Sequence, residues 1–366
     1  MSLTLRFSGD ARGLWPIVLR NVFLNLLTLT IYRFWGKTDV RRYLWRNAAL
    51  AGDPFEYTGT GKELFLGFLI AVFLVLLPFA LVTQGVPQFL PLDHPLVIVI
   101  GLLTYPTFMF LFGVAMYRAR RYRLTRTLWR GVRGRLTGSP SRYGLFYLLC
   151  FVFNVFTLGF AYPWTRSRLF ARLIGETAFG DHRFLCEPTA KRLYGPFMLT
   201  VLLGFIVLVV GIVISNVLGS LLVPHLISYW ELEPGYGVFY SLGILAAQGL
   251  IFLAVMTVLG AVMIVPFAYY KVREYAHLIG LVEFPDTRFR FVATMTAFVK
   301  LYAGNLLILL LTLGFGYPLA QMRILRFYCQ HLEIDGSPDL EAIRRSVSET
   351  PAFGEGLADA FDIDVF

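Results

Sequence analysis

Four apolar blocks without a charged residue constrain the fold of this chain more than any other feature. None of them contains Lys, Arg, Asp or Glu, and they cover residues 64–83, 96–117, 197–223 and 238–270. A membrane hydrocarbon layer of about 30 Å takes roughly 20 helical residues, so each block is long enough to cross it. The blocks predict two transmembrane helical hairpins, over 64–117 and 197–270.

The composition indicates the same class of protein. Of the 366 residues, 57% are hydrophobic and only 15% are charged, whereas a soluble protein carries about 25% charged residues. A water-soluble fold of this length does not cover so many apolar side chains. Residues 1–12 lack the basic region, apolar stretch and cleavage site of a signal peptide. We therefore expect the first apolar segment to be a retained anchor.

Three further apolar segments share a motif and predict internal repeats. They span residues 14–35, 143–164 and 297–318, and each ends on Thr-Leu, an aromatic residue and a group of bases. Gly is common just past a helix end and Pro cannot continue a helix. We therefore predict structural bends at Gly159 with Pro163 and at Gly314 with Pro318. The expected fold is an all-α polytopic membrane protein with about seven apolar segments.

The domain prediction follows from these segments. Residues 1–336 are expected to form a single integral membrane domain, with repeats over about 7–60, 143–187 and 296–336. Residues 337–366 are acidic and contain few large apolar side chains, so they predict a disordered cytoplasmic tail.

The distribution of bases predicts the orientation in the membrane. Residues 117–142 contain nine Arg and no acid, and basic loops are retained in the cytoplasm. Residues 85–94 and 225–237 contain no Lys or Arg and are expected outside. The segment 143–164 has bases at both ends, so both ends favour the cytoplasm. Either the three repeat segments enter the inner leaflet without spanning, or they are ordinary crossings and one basic loop breaks the rule.

Short runs with period-two alternation predict β-strand pieces between the helices. They lie at residues 55–57, 129–133, 183–185 and 288–291. Two-stranded pieces are marginal alone, so we expect these runs to pair with one another into a small cytoplasmic sheet.

Aromatic and basic residues near the apolar segments are the candidate site residues. Such residues favour the membrane interface and anionic head groups, either as simple anchors or as a lipid-headgroup site: Trp35, Lys37, Arg42, Arg120, Arg123, Arg130, Trp164, Arg166 and Arg168. The expected partners are membrane lipids with anionic head groups. Nucleic acid is not needed to explain the net charge of +10, because retention of bases in the cytoplasm already explains it.

The remaining reactive residue types predict neither a cofactor nor a metal site. Cys150, Cys186 and Cys329 have no close spacing, and no His pairs with another His or Cys at ligand spacing. No hydrolase, kinase or nucleotide-binding motif is present. We therefore expect no catalytic residues.

Several motifs resemble those of the YjgN-like family. They are the run from Thr157-Leu158-Gly159 through Tyr162-Pro163-Trp164 to Arg168, the Arg-Tyr-Leu of residues 42–44, and residues 52–61. The similarity covers about residues 7–334. It departs from the family pattern at residues 32–34, where the Pro is absent, and at Leu319, which replaces the Trp. The resemblance implies a bacterial multi-pass inner-membrane protein with a domain of unknown function, and it implies no activity.

Three classes of function fit these features. Internal repeats often frame a transport site, so the leading hypothesis is transport of a small or lipid-like substrate across the membrane. The density of Arg beside the membrane favours the alternative, a non-catalytic scaffold or anionic-lipid-binding protein. A membrane-embedded enzyme is the third class, and only scattered acids such as Asp53 and Asp181 support it. The sequence specifies neither a substrate nor an oligomeric state.

Overall fold

The computed structural model describes residues 2–91, 93–229 and 237–336 of the chain. Most of these residues are helical. Four helical stretches among them are long and apolar enough to cross a membrane: Gly61–Gln88, Pro95–Arg126, Lys191–His225 and Ser241–Val262. The prediction of a polytopic, mostly helical membrane protein is thus confirmed. The predicted tail, 337–366, lies outside the described residues.

The helices begin and end as follows: α1 Ala11–Leu27, α2 Arg33–Arg46, α3 Gly61–Ala71, α4 Leu77–Ala80, α5 Pro95–Arg126, α6 Pro140–Phe156, α7 Tyr162–Gly175, α8 Lys191–Tyr229, α9 Val238–Val262, α10 Ile264–Gly280, α11 Met295–Leu311 and α12 Tyr317–His331. Wider π-helical turns at Val72–Leu76 and Leu81–Gly85 join α3 and α4 into one long stretch. The helices α1, α6 and α11, in the three segments predicted to be repeats, have 17 residues each, which is the lower end of the range of about 17–25 that a crossing takes.

The described residues also form twelve strands: β1 Ser2–Leu3, β2 Leu5–Phe7, β3 Ala48–Leu50, β4 Asp53–Tyr57, β5 Thr127–Trp129, β6 Val132–Leu136, β7 Thr177–Phe179, β8 His182–Arg183, β9 Leu185–Cys186, β10 Val282–Phe284, β11 Thr287–Phe291 and β12 Leu332–Gly336. One antiparallel sheet runs from β2 to β8 in chain order, and a second has the order β1-β12-β11-β10-β9.

The two sheets join into a closed ring, here called the barrel. Only Thr4 separates β1 from β2, and only Phe184 separates β8 from β9. The Thr4 carbonyl accepts from the Ala51 N–H, and the Phe184 N–H donates to the Thr177 carbonyl, each at 3.0 Å. The strands β1 and β2 therefore act as one continuous strand, and so do β8 and β9. Each of these continuous strands belongs to the first sheet with one part and to the second sheet with the other. Closure leaves no free strand edge in the ring.

The predicted strand runs are largely confirmed, but the sheet is larger than predicted. The runs 55–57, 183–185 and 288–291 contribute to β4, β8 with β9, and β11. The run 129–133 is wrong as a strand, because Arg130 and Gly131 have φ of 51° and 75°. Positive φ at both central residues is the geometry of a two-residue hairpin turn, and this turn separates β5 from β6.

Each helical segment leaves the barrel from one strand and returns to that strand's neighbour. The pair α1–α2 connects β2 to β3, which pair antiparallel. The stretch from α3 to α5 connects β4 to β5, and α6–α7 connects β6 to β7. The stretch from α8 to α10 connects β9 to β10, and α11–α12 connects β11 to β12. Both ends of each helical segment are therefore joined along the chain to neighbouring strands of the barrel.

A bend with one backbone geometry separates α1 from α2, α6 from α7 and α11 from α12. In the second bend Leu158 and Gly159 have left-handed φ of 51° and 86°. The Gly159 N–H donates to the Asn154 carbonyl at 2.7 Å, which closes the end of α6. Gly314 adopts φ 87° in the third bend.

A threonine hydroxyl stabilises each bend. The Thr157 hydroxyl donates to the Phe153 carbonyl at 2.8 Å and accepts from the Ala161 N–H at 3.2 Å. It thereby gives a second hydrogen bond to the Phe153 carbonyl, which also accepts from the Thr157 N–H, and satisfies one N–H that precedes α7. Thr28 and Thr312 make the corresponding two hydrogen bonds in their own bends. The Thr-Leu motif thus has a local structural role.

The described chain divides into two compact units. The first comprises Met1–Ala190, Ala276–Val292 and Leu301–Phe366, and it contains the barrel. One of its cores joins Leu14 and Val18 of α1 to Leu44 of α2 and Met322 of α12.

The second unit comprises Lys191–Tyr275 and Ala293–Lys300. In it, α8 packs along α9, and the Gln248 amide donates to the Ser215 carbonyl at 3.2 Å. A fully buried Glu274 is neutralised by Lys271 at 2.6 Å.

Candidate functional site

The barrel encloses an apolar cavity of about 490 Å³. Its wall, here called the lumen wall, is made by side chains from strands all round the ring, among them Leu3, Leu50, Phe55, Trp129, Phe284 and Ile334. Pockets for small molecules commonly have volumes of about 300–1,000 Å³ and mostly apolar walls. The cavity is therefore of ligand size and of strongly apolar character.

The alternation of the strands separates an apolar inside from a charged outside. Along β10, Val282 and Phe284 line the cavity, while Glu283 between them is exposed. Along β11, Phe289 lines the cavity, while Arg290 is exposed and forms an ion pair with Asp335 on the neighbouring strand. Successive side chains of a strand point to opposite faces, so this arrangement follows directly from the sequence of each strand.

Helix ends next to the strands complete the lumen wall. Leu124 of α5, Phe170 and Ile174 of α7, and Ile279 of α10 all line the cavity. Each belongs to the last turns of a helix that leads into a barrel strand. The helices therefore position the wall as well as connecting its strands.

Among the residues that the structure describes, Arg120 of α5 is the one charged residue that lines this apolar cavity. Its Nε atom is buried and has no hydrogen-bond partner among the described residues. The positive charges of Arg123 and Arg166 repel it, while the Tyr143 side chain acts in the opposite direction. The residue as a whole is half-buried. A partly desolvated charge without a partner is energetically unfavourable, so Arg120 is a group whose charge an anion would compensate.

A second cavity of about 360 Å³ adjoins the first at Arg120. Phe55, Arg120, Leu124 and Thr127 line both cavities. The second cavity also contains polar groups, from Arg41, Arg123 and Gln321. Among the described residues, no Asp or Glu lines either cavity. We call this second cavity the cationic chamber.

A third cavity, of about 180 Å³, lies among α1, α2 and α12 and shares Arg41 and Gln321 with the cationic chamber. Arg33 and Lys37 line it, as do Pro318 and other residues of the third bend. A series of bases thus extends from the lumen wall toward that bend.

The structure brings together three of the predicted headgroup residues. Arg120, Arg123 and Arg166 interact electrostatically at the base of α5 and the start of α7. Arg168 lies elsewhere on α7, with its guanidinium 5.2 Å from the ring centre of the partly exposed Trp164.

The other predicted headgroup residues lie apart from this group. Trp35 packs against Phe65, and Lys37 lines the third cavity. Arg42 donates to the Gly59 carbonyl at 3.0 Å. Arg130 belongs to the β5–β6 turn and forms an ion pair with Asp53 at 2.5 Å, outside the lumen wall.

The predicted bend residues lie at the helix ends. Gly159 and Gly314 follow the first helix of their pairs, and Pro163 and Pro318 occupy the first turns of α7 and α12.

Sequence reasoning missed the residues that make the lumen wall. Phe55, Trp129, Phe284 and Phe289 are aromatic residues in strands, and their alternation was the available signal. The alternation within one strand does not show that several short hairpins close around one cavity. Arg41 of the cationic chamber was missed because it is one base among several in α2.

Two cysteine thiols in this region are poorly reactive. Burial raises the pKa of Cys186 in β9 and of Cys329 in α12, each to about 11. Both thiols stay protonated near neutral pH, and the thiol is a much weaker nucleophile than the thiolate. The described residues contain no group of three or more His, Cys, Asp or Glu that could hold a metal ion.

Four membrane-length apolar helices and a strand ring with an apolar lumen define a multi-pass membrane protein with a cavity-bearing barrel. The chain belongs to the family described as bacterial protein of unknown function (DUF898), whose model matches residues 2–360.

Known relatives agree with this assignment. The chain is 23% identical to inner membrane protein YjgN of Salmonella typhimurium over 95% of its own length and 92% of that protein's. It is 36% identical over 67 residues to inner membrane protein YjgN of Escherichia coli O157:H7, which covers 18% of this chain and 17% of that protein. No solved structure matches the chain. The resemblance to the YjgN-like family is thus confirmed.

Proposed function

We propose that this protein is a lipid-binding protein of the bacterial inner membrane, whose barrel holds an apolar chain in its lumen. The observation that carries this proposal is the 490 Å³ cavity with aliphatic and aromatic walls. Burial of apolar surface stabilises a bound chain by about 25 cal/mol per Å². The relatives are named as inner membrane proteins, so lipids are the abundant apolar molecules beside the barrel.

The cavity favours lipid binding over the other functions considered from the sequence. Transport across the membrane needs a path through the bilayer, and the cavity lies instead among strands and helix ends. An enzyme needs an acid, base or nucleophile at its cavity. No Asp or Glu among the described residues lines either the lumen or the cationic chamber, and burial raises the pKa of Cys329, which lines the cationic chamber, to about 11. Lipid binding without catalysis needs only apolar walls and bases, and both line these cavities.

The proposal includes an orientation. The Arg-rich residues 117–142 contribute β5 and β6 to the barrel, and such segments are retained in the cytoplasm. We propose a cytoplasmic barrel from which α1–α2, α6–α7 and α11–α12, as copies of one unit, enter the inner leaflet without crossing. The return of each pair to a neighbouring strand of the barrel supports this arrangement.

Filling the lumen with a large side chain tests the proposal. Val282 lines the cavity and Glu283 is its exposed neighbour on β10. We expect the Val282→Trp variant to lose copurifying lipid, because the indole occupies the lumen. The matched Glu283→Trp variant is expected to retain it. Native mass spectrometry of the full-length protein, released gently from membranes, measures the bound lipid directly.

Thermal unfolding of both variants shows whether the indole only disrupts the fold. A folded Val282→Trp variant with as much bound lipid as the wild type would overturn the proposal. So would a wild-type protein that carries no lipid and binds none when it is added.

A further inference from the structure

We infer that the barrel ligand is an amphiphile with one acyl chain and an anionic head group, with the chain in the lumen and the head group against Arg120. This inference rests on the proposed lipid-binding function and adds the chemical class of the ligand. Carboxylate and phosphate head groups share the chemistry that Arg120 recognises. A fatty acid and a lysophospholipid are therefore the two sources to distinguish.

The size of the lumen indicates one chain. Pockets that hold one small-molecule ligand commonly have volumes of about 300–1,000 Å³. The lumen, at about 490 Å³, lies in the lower half of that range. The available space therefore favours one acyl chain over the two chains of a phospholipid.

The charge of the lumen wall indicates an anionic head group. Arg120 is the charged residue of an otherwise apolar wall, and its buried Nε has no partner among the described residues. The positive charges of Arg123 and Arg166 repel the positive charge of Arg120, and no carboxylate is among the groups that act on it. A neutral head group would leave this charge uncompensated, whereas an anion would accept charge-assisted hydrogen bonds from it.

The position of Arg120 matches the boundary between chain and head group. It lies where the apolar lumen adjoins the cationic chamber, which Arg41 and Arg123 also line. A chain that fills the lumen therefore ends beside Arg120, and its head group extends toward Arg41 and Arg123, in a cavity whose other walls are mostly apolar. The three bases together are complementary to an anionic head group.

Arg118 offers a matched control for Arg120. Both residues belong to α5, but Arg118 is exposed and does not line the lumen or the cationic chamber. The test compares Arg120→Leu and Arg118→Leu in the full-length protein. Each is mixed with equal amounts of hexadecanoate, 16-carbon lysophosphatidate, hexadecanol and two-chain phosphatidylglycerol, and bound species are quantified by native mass spectrometry.

We expect the wild type and Arg118→Leu to bind one of the two single-chain anions at least about tenfold more than hexadecanol, because a hydrogen bond to a charged group is worth that much. The preferred anion identifies the head group as a carboxylate or a phosphate. Arg120→Leu is expected to lose this preference while still binding hexadecanol. An Arg120→Gln variant repeats the test if the leucine variant does not fold.

The unfolding temperature of the protein without added ligand shows whether Arg120 has a binding role or a structural role. Replacing a half-buried charge that has no partner by an apolar side chain removes a desolvation cost, so Arg120→Leu without added ligand is expected to unfold at or above the wild-type temperature. A marked decrease would indicate a structural role and overturn the inference. Equal binding of hexadecanol and the anions, or a preference for phosphatidylglycerol, would overturn it while leaving lipid binding intact. Binding of none of the four would refute the proposed function itself.

Discussion

Arg120 shows how a single side chain can set the specificity of an apolar cavity. Partial desolvation of its guanidinium is unfavourable, and its Nε has no hydrogen-bond partner among the described residues. In the proposed arrangement, a ligand that supplies a negative charge at that point removes this cost. We therefore expect an apolar residue at position 120 to leave the protein at least as stable as the wild type when no ligand is added, which is a common relation between stability and function.

Gly159 is the residue on which the second bend depends, because its φ of 86° is left-handed. An L side chain in that region costs roughly 1–2 kcal/mol. We expect Gly159→Ala to lower the free energy of unfolding by about 1 kcal/mol, measured by thermal or denaturant unfolding in a mild detergent.

Gly175 at the end of α7 is the matched control for this substitution. A Cβ there meets no atom within 4 Å, and its φ is not left-handed. Gly175→Ala is therefore expected to be neutral or slightly stabilising, because alanine restricts the unfolded chain. Equal effects of the two substitutions would contradict the strain argument.

Local chemistry at such positions is predictable from sequence, but the surroundings of a side chain are not. Gly159 and Pro163 signal a bend because their backbone preferences act within a few residues. The sequence also marks Arg120 as a base near an anionic surface. It does not show that Arg120 reaches a cavity, since that depends on strands far along the chain, such as β10 and β12.

At the scale of elements, three helix pairs of similar design have apolar tips. Leu29, Leu158 and Leu313 at the bends are 85%, 87% and 86% exposed. In water such exposure of a large aliphatic side chain is unfavourable. In the proposed arrangement the tips lie within the inner leaflet, where the exposed leucines contact acyl chains.

Cysteine labelling tests whether these tips stay within the inner leaflet. We expect Leu158→Cys to resist a membrane-impermeant maleimide added to intact cells, because the tip does not reach the outer surface. Asp93→Cys, in the loop expected outside, should react, and Arg183→Cys on β8 should react only after the inner membrane is opened. The native thiols of Cys186 and Cys329 react slowly with the maleimide, because burial raises the pKa of each to about 11. Labelling of Leu158→Cys from outside would show that the segment crosses.

Secondary structure was more predictable than its assembly. The four uncharged blocks predict the four long apolar helices because length and composition suffice for that inference. The alternation in 288–291 likewise predicts β11. Its partner β12 was not predicted, and neither was the pairing of β9 with β10 across the α8–α10 segment. These pairings depend on contacts between distant residues, which a local pattern does not contain.

At the scale of the whole molecule, closure of the ring is the property that makes a lumen. An open sheet would expose both its edges and its apolar face to water. In the barrel the amino-terminal strand closes the ring, with β1 pairing with β12 and β2 pairing with β3. A short segment at the beginning of the chain thus joins the two sheets.

Cysteine pairs on either side of this strand test the closure. Leu3 is opposite Ile334, and Leu5 is opposite Leu50; directly opposed residues have Cβ atoms about 5 Å apart. In a variant with Cys150, Cys186 and Cys329 replaced by Ser, we expect a short bifunctional thiol reagent to cross-link Leu3→Cys to Ile334→Cys as well as Leu5→Cys to Leu50→Cys. Cross-linking of the second pair alone would mean that the amino-terminal strand joins one sheet only. The lumen would then be an open groove, and bound lipid would exchange with the membrane without any opening of the ring.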